Sequence, residues 1–302
     1  NWLGKAVGGE AEDLSRHDKW LCMMYPRLCL LRQFLRDDGA IFVNIDDNEA
    51  VFLRCVMDEI FGSRNFIATI VWQKKQSPQN DAINLSDMHD YIVVYAKKAK
   101  ASRNDINGWQ RNLLPRTGRQ INRYQNPDGD PRGPWTSVDY TCNKTADERP
   151  NLYYPIVHPT TGKEIWPPRS TVWRFDPEGH ARNVAEQKVW WGKEGKSGPR
   201  LKRFLADVSE GVVPSTWWTR EDVGDNQQSR REFRQIFGKE GVDFQTPKPV
   251  TLILKIIDIA TSPGDIVMDS FAGSGTTGHA VLHANKRDGV PVQRELDNRR
   301  FF

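Results

Sequence analysis

The sequence predicts an α/β protein whose sheet-and-helix framework is interrupted by a large irregular insertion, and three patterns carry that expectation. Over residues 1–98, segments with helical apolar spacing alternate with short continuous apolar runs. Over 99–241 the regularity gives way to short stretches rich in Pro, Gly, Asn and Arg, and eight of the eleven tryptophans gather there, as in a separate, mainly β-like lobe. Helix and strand patterns then resume over 242–302. A chain of 302 residues is long for one domain, which agrees with an insertion.

In the first region Leu21, Met24, Leu28, Leu31 and Leu35 recur at intervals of three and four, one face of a helix over Ser15–Asp38. Ser15 and Asp18 resemble a capping box and Gly39 suits the stop. Pro26 inside this pattern predicts a kink or the true helix start. Ala40–Asp46 reads as a buried strand, and Asp47–Phe61 as a helix closed by Gly62. Phe66–Trp72 and Tyr91–Lys97 read as strands rich in β-branched and aromatic residues, so the alternation predicts a doubly wound sheet. His89 and Asp90, just before the last strand, read as a turn-and-cap feature in preference to an acid–base pair. In the last region Pro247 and Pro249 suit a helix start, and Val250–Ala260 is apolar on most faces, hence a buried helix. Asp265–Phe271 reads as a buried strand, Ala272–Gly278 as a glycine-rich turn leading into a helix to about Lys286, and Arg299–Phe302 as the opening of another strand.

Hydrophobic residues at 38% with 27% charged ones suffice for packed cores, which excludes wholesale disorder. No apolar run approaches the roughly 20 residues of a membrane span, and no signal-peptide pattern opens the sequence, so a soluble, cytoplasmic protein is expected. Cys22, Cys29, Cys55 and Cys142 form no Cys-x-x-Cys pair and are expected as small buried hydrophobes of a reducing compartment, not as zinc ligands. Charge is uneven. Residues 1–60 hold seven Lys/Arg against eleven Asp/Glu, whereas 97–132 hold nine against three, a local excess that suits an anionic partner.

The glycine turn is the most specific local signal. A strand, a turn through Gly273-Ser274-Gly275-Thr276-Thr277-Gly278 and a helix make an anion site, because glycines admit a close ligand and the first helical N–H groups are unpaired. The turn satisfies Gly-x-Gly-x-x-Gly, which leaves a nicotinamide dinucleotide open as ligand. Such a site wants an acidic residue about 20 positions on, at the end of the next strand. Glu295 and Asp297 have that distance but precede the expected strand. No Gly-Lys-Ser/Thr follows, so a phosphate-gripping loop is not indicated.

DFQTPKPVTLILKIIDIATSPGDIVMDSFAGSGTTGHAVLHANK, Asp243–Lys286, resembles the S-adenosylmethionine (SAM) region of amino-methylating DNA methyltransferases, in which a helix opened by Lys-Pro precedes a Phe-x-Gly-x-Gly loop. The order of a catalytic half, an inserted lobe and a SAM half resembles the permuted β class. More narrowly, RHDKWLCMMYPRL (Arg16–Leu28), DDGAIFVNIDDNE (Asp37–Glu49), HDYIVVYAK (His89–Lys97), DPRGPW (Asp130–Trp135) and GPRLKRFL (Gly198–Leu205) are similar to the modification subunit of type III restriction–modification systems. The resemblance implies a Rossmann-like, permuted methyltransferase fold, incomplete at both ends, with 1–98 as the catalytic half, 99–241 as the target-recognition lobe and 242–302 as the SAM half. It implies cofactor contacts from Asp269, Phe271, Gly273, Ser274, Gly275 and Thr276 on one side of a pocket and from Thr246, Lys248 and Pro249 on the other.

The implied activity is site-specific adenine amino-methylation of double-stranded DNA with SAM, by a homodimeric subunit that serves a separate nuclease subunit. The absence of a Pro-Cys dipeptide agrees, since thiolate chemistry at cytosine carbon-5 uses one. The family's Asp-Pro-Pro-Tyr type motif occurs nowhere in the sequence, so the resemblance implies a fragment lacking it, and no catalytic residue is assigned. In the lobe, Arg111, Arg116, Arg119 and Arg123 lie between Trp109 and Tyr124, and with Trp135 they form candidate DNA contacts, as do Lys74 and Lys75 after the Phe66–Trp72 strand. Two other readings stand beside this one: a SAM- and DNA-binding module without turnover, and a nicotinamide-dependent oxidoreductase resting on the glycine pattern alone.

Overall fold

The computed structural model describes residues 15–238, 244–289 and 299–302. Asp243, Glu295, Asp297 and the side chain of Ser15, named above, lie outside the described residues. The chain forms two compact units, one from 1–114 with 213–302 and one from 115–212. Both boundaries fall inside the 99–241 span expected for the insertion. The reason is burial: Trp109 and Trp218 sit in the core of the first unit.

The first unit is built on a four-stranded sheet in the spatial order Ala40–Ile45, His89–Ala96, Phe66–Gln73, Trp217–Trp218. His89–Ala96 runs antiparallel to both neighbours, and Trp217–Trp218 is parallel to Phe66–Gln73. The expected doubly wound sheet is thus corrected to a mixed one. The Ala50–Phe61 helix crosses over from the first strand to Phe66–Gln73, leaving a gap of one strand, and the direct connection 74–88 returns the chain antiparallel to fill it.

Side chains of the central strand alternate between two cores, as a period of two requires. Ile92, Val94 and Ala96 pack with Ile70, Trp72, Trp218, Leu252 and Ile259 on one face. Val93 and Tyr95 pack on the other face with Trp20, Met24, Leu28, Leu53, Met57 and Phe61. Helices therefore cover both faces of the sheet. Leu28 and Leu53, at 1% and 0% exposure, each contribute about 1.5–3 kcal/mol by leaving water.

The Ser15–Phe34 helix runs through Pro26, so Pro26 is not its start. Trp20, Met24 and Leu28 bracket the proline and are buried together, and that tertiary burial offsets the lost backbone bond. The cysteines are corrected too: Cys22 and Cys55 are exposed, while Cys29 and Cys142 are half-buried. Cys22 is two residues from both Trp20 and Met24, and Cys55 two from both Leu53 and Met57, and on a helix residues two apart do not share a face. Among the described residues no His/Cys/Asp/Glu group could hold a metal ion. No described helix is long and apolar enough to cross a membrane.

The Val250–Ala260 helix lies where expected and packs a second face on the Thr276–Arg287 helix, through Val250, Ile253 and Ile257 against Ala280, Val281 and Ala284. The buried strand expected over Asp265–Phe271 contracts to Ile266–Val267, paired parallel with Arg300–Phe301 in its own two-stranded ladder. Ile266, Met268 and Phe271 are exposed, because this short ladder does not join the larger sheet.

The second unit has a three-stranded antiparallel sheet in the order Val189–Trp190, Arg200–Phe204, Trp135–Asp139. Tyr140, Ile156 and Trp173 form its small core. Beneath the sheet, Lys202 pairs with Asp128 and Asp130, and Arg132 donates to both oxygens of Asp130. Its strands are two to five residues long, and Trp135 and Trp173 are buried.

Candidate functional site

The site is laid out by two helix starts. Pro249 caps the Val250–Ala260 helix with φ −63° and ψ 141°, and a residue before proline is held extended, so Lys248 stands clear of the helix. Its ammonium lies 3.1 Å from Asp90 Oδ2 and 4.7 Å from the centre of the Trp72 ring. The other oxygen of Asp90 accepts from Lys74 Nζ at 2.7 Å, and Lys74 also binds Asp87. Burial works to lower the Lys74 pKa, but the hydrogen bonds it donates to the Asp87 and Asp90 carboxylates outweigh this and hold the ammonium above its usual value. Burial likewise works to raise Asp87, and the Lys74 contact overrides it and holds the carboxyl below its usual range.

The second start is the glycine turn. Gly273 and Gly275 adopt φ +54° and +73°, a left-handed backbone that favours glycine. A Cβ on Gly273 would stand 3.1 Å from Phe244 Cζ, while one on Gly275 meets nothing. Gly275 caps the Thr276–Arg287 helix without a side-chain bond to its leading N–H groups, which leaves donors and the positive end of the dipole for an anion. Thr276 Oγ1 donates to the Lys248 carbonyl at 3.2 Å and lies 2.8 Å from Ser274 Oγ. These bonds tie the two helix starts together. Asp269 is fixed by the Phe271 N–H at 3.1 Å and the Thr277 hydroxyl at 2.5 Å.

Of the cofactor residues expected from sequence, Lys248, Pro249, Ser274, Gly275 and Thr276 are brought together at this junction, and Asp269, Phe271 and Gly273 line the same turn. Thr246 is exposed two residues before Lys248. Helix-start donors, a fixed carboxylate, the exposed ring of Phe271 and a turn with only small side chains fit a ligand with an acidic end, hydroxyl or ammonium donors and a flat base. No basic side chain of the turn supplies the grip a polyphosphate needs.

The candidate DNA residues divide. Lys74 is corrected: at 8% exposure and clamped by two carboxylates, it is not available to a phosphate. Trp135 is corrected as well, since at 4% exposure its ring packs edge-on to Trp190 and its N–H donates to Asp128, leaving no face for a base. Arg116 is engaged with the carbonyls of Ser209 and Gly211 and lies over Tyr124. Arg119 and Arg123 are exposed, Arg111 is half-buried, and Lys75 Nζ donates to Gln79 Oε1. Arg111 belongs to the first unit and the other three arginines to the second.

Two residues of the site were not anticipated. Asp90 is not a turn cap but lies inside the His89–Ala96 strand, buried between two lysines. The signal was present in Asp-Tyr-Ile-Val-Val-Tyr-Ala, where an acid opens a buried run and needs a cation. Glu232, on the Asn226–Phe237 helix, accepts from the Val250 N–H at 3.2 Å. A helix capped by proline has no side-chain acceptor of its own, so a distant one supplies it.

An α/β unit with helices on both sheet faces carries a glycine turn latched to a Lys-Pro helix start, an arrangement that suits the methyltransferase class. Residues 2–289 match the family described as DNA methylase, the N6/N4 methyltransferases, and the chain belongs to that family. It is similar to the StyLTI Mod subunit, a type III restriction-modification enzyme of Salmonella typhimurium, at 35% identity over 91% of this chain and 40% of that protein. The EcoP15I Mod subunit of Escherichia coli, also type III, is 28% identical over 92% of this chain and 46% of its own length. The type II methyltransferase M.KpnI of Klebsiella pneumoniae is 28% identical over 90% and 65%. The chain therefore spans less than half the length of the two type III relatives. The cytosine-N4-specific PvuII DNA methyltransferase superposes with a TM-score of 0.45 at 13% identity, over 97% of this chain and 68% of that one, a likeness too slight to carry an argument.

Proposed function

We propose that the chain supplies the SAM-binding and DNA-recognition parts of a site-specific adenine amino-methyltransferase, the modification subunit of a type III restriction system. Double-stranded DNA is its substrate, a nuclease subunit its partner and a homodimer its working state. The observation that carries this reading is the latch between Lys248 and Thr276, which fixes the glycine turn against the helix opened by Lys-Pro in a chain of the DNA methylase family. Bound SAM supplies a methyl group already activated on a sulfonium. The protein's task is then positioning, which contributes roughly 7–11 kcal/mol to such reactions.

In this proposal the leading N–H groups of Thr276–Arg287 and the Ser274 and Thr276 hydroxyls hold the amino-acid end of the cofactor. Asp269 takes hydroxyl or ammonium donors, and Phe271 offers a face to the adenine. Lys248 and Pro249 close the opposite wall, with Thr246 at its rim. Lys75, Arg111, Arg119 and Arg123 are the remaining candidates for phosphate contacts.

Calorimetry with SAM and NAD side by side tests the pocket. One SAM per chain is expected, with no NAD binding; tight NAD binding without SAM would overturn it. Methyl incorporation from tritiated SAM into duplex DNA by the full-length gene product tests the reaction. Binding of both ligands with no incorporation favours a module without turnover, a reading prompted by the lack of an Asp-Pro-Pro-Tyr motif in this sequence.

A further inference from the structure

The second unit contains a cleft of about 380 Å³ lined by Val184, Gln187, Trp190, Trp191 and Lys193, beside the Lys202–Asp128 pair. That volume falls within the roughly 300–1,000 Å³ of small-molecule sites. Trp190 is half-buried and braced edge-on by Trp135 at 5.0 Å, and Trp191 is braced by His158 at 4.8 Å. The turn after them is tight. Gly192 has φ +81°, its missing Cβ would fall 2.4 Å from Ser197 Oγ, and the Ser197 N–H closes the turn on the Trp191 carbonyl.

Charge in the cleft is divided. Lys202 is neutralised by Asp128 and Asp130, whereas Lys193 is exposed and carries no ion pair among the described residues.

Gln187 stands out. It is the one non-glycine residue with positive φ among the described residues, at +54°. It follows the Pro177–Ala185 helix, where its N–H closes on the Val184 carbonyl, a helix-end position at which glycine is the unstrained choice. Arg132 holds the carbonyls of Glu186 and Gln187 and keeps the turn in place. A strained backbone therefore presents a long amide at the rim of an aromatic cleft, and that amide is exposed with no hydrogen bond among the described residues.

We propose that this cleft receives one nucleobase of the DNA substrate, with the Gln187 amide bonded to the base edge, Trp190 and Trp191 as walls and Lys193 on a flanking phosphate. A glutamine amide offers a donor and an acceptor together, which matches the adjacent N6 and N7 of adenine. The inference rests on the DNA-methyltransferase reading above and narrows it to a specificity-determining residue.

The test is selection from a pool of duplexes with a randomised centre, followed by measured affinities for the selected duplex and each single-base variant. The unmodified protein enriches a defined sequence. Gln187→Gly removes the preference at one position, with discrimination falling at least tenfold, while the melting temperature rises because the strain is relieved. Gln187→Asn, which keeps an amide and tolerates the backbone, retains part of the preference. Lys193→Ala weakens all sequences alike and lowers the salt dependence by about one released ion. Unchanged preference at every position in Gln187→Gly overturns the inference and leaves the methyltransferase reading standing. Failure of the unmodified protein to enrich any duplex sinks both.

Discussion

Asp90 holds two lysines at once, one on each carboxylate oxygen, and only one of them reaches the cofactor wall. Replacing it with asparagine leaves Lys74 paired to Asp87 but releases Lys248 from its charged partner. A hydrogen bond between charged groups is worth about 1.5–3 kcal/mol, and even the lower part of that range is a tenfold change in affinity. Asp90→Asn is therefore expected to weaken SAM binding by about tenfold with duplex affinity unchanged, and Asp90→Glu to recover part of the loss. Calorimetric constants equal to those of the unmodified protein would show that the clamp does not serve the pocket.

Asp130 gives a parallel case in the lobe. Arg132 first, and then Lys202, hold its carboxyl far below the usual carboxylate range although burial works the other way. A carboxyl whose pKa is depressed on folding adds stability above its unfolded value near 3.9, and that stability is lost as pH falls through the folded value. Asp130→Asn should cost about 1.5–3 kcal/mol at pH 7. The gap from the unmodified protein should close as the pH drops below about 4, as read by denaturant melts across pH. A gap that does not narrow between pH 4 and pH 2 would mean that packing, not charge, explains the loss.

At the scale of elements, the Val250–Ala260 helix was legible because its composition and its proline start agree, and the structure buries it on two sides. Ile257, at 2% exposure, sits between this helix and the alanine face of Thr276–Arg287. Ile257→Ala should destabilise by about 2–5 kcal/mol through lost transfer energy and the cavity left behind. A melt within 1 kcal/mol of the unmodified protein would contradict the packing described. Strand order was not legible. Phe66–Gln73 and His89–Ala96 have similar composition, and nothing local shows that one fills the gap left by a crossover while the other makes it.

Residue type misled at Cys22 and Cys55, where cysteine favours burial but the helical angle faces solvent. The glycine turn and the Lys-Pro start could be read as motifs because their backbone demands are local. The partners of Asp90 could not, because they are separated from it by 16 and 158 positions in the chain.

At the scale of the molecule, the two units each have a core of their own: the sheet and its helices in the first, and Tyr140, Ile156 and Trp173 in the second. The proposed SAM residues all belong to the first unit, and the Asp130 network to the second. Independent cores with separate ligands predict two calorimetric transitions that can be moved one at a time. SAM at 100 times its dissociation constant adds about 2.7 kcal/mol to the state that binds it. For a unit of roughly 200 residues that is a rise of about 5–11 °C in one transition. Asp130→Asn should lower the other transition and leave the SAM-dependent one in place. A single transition shifted by both perturbations would show that the units fold as one cooperative body, so that loss of the lobe's ion network would also empty the cofactor crevice.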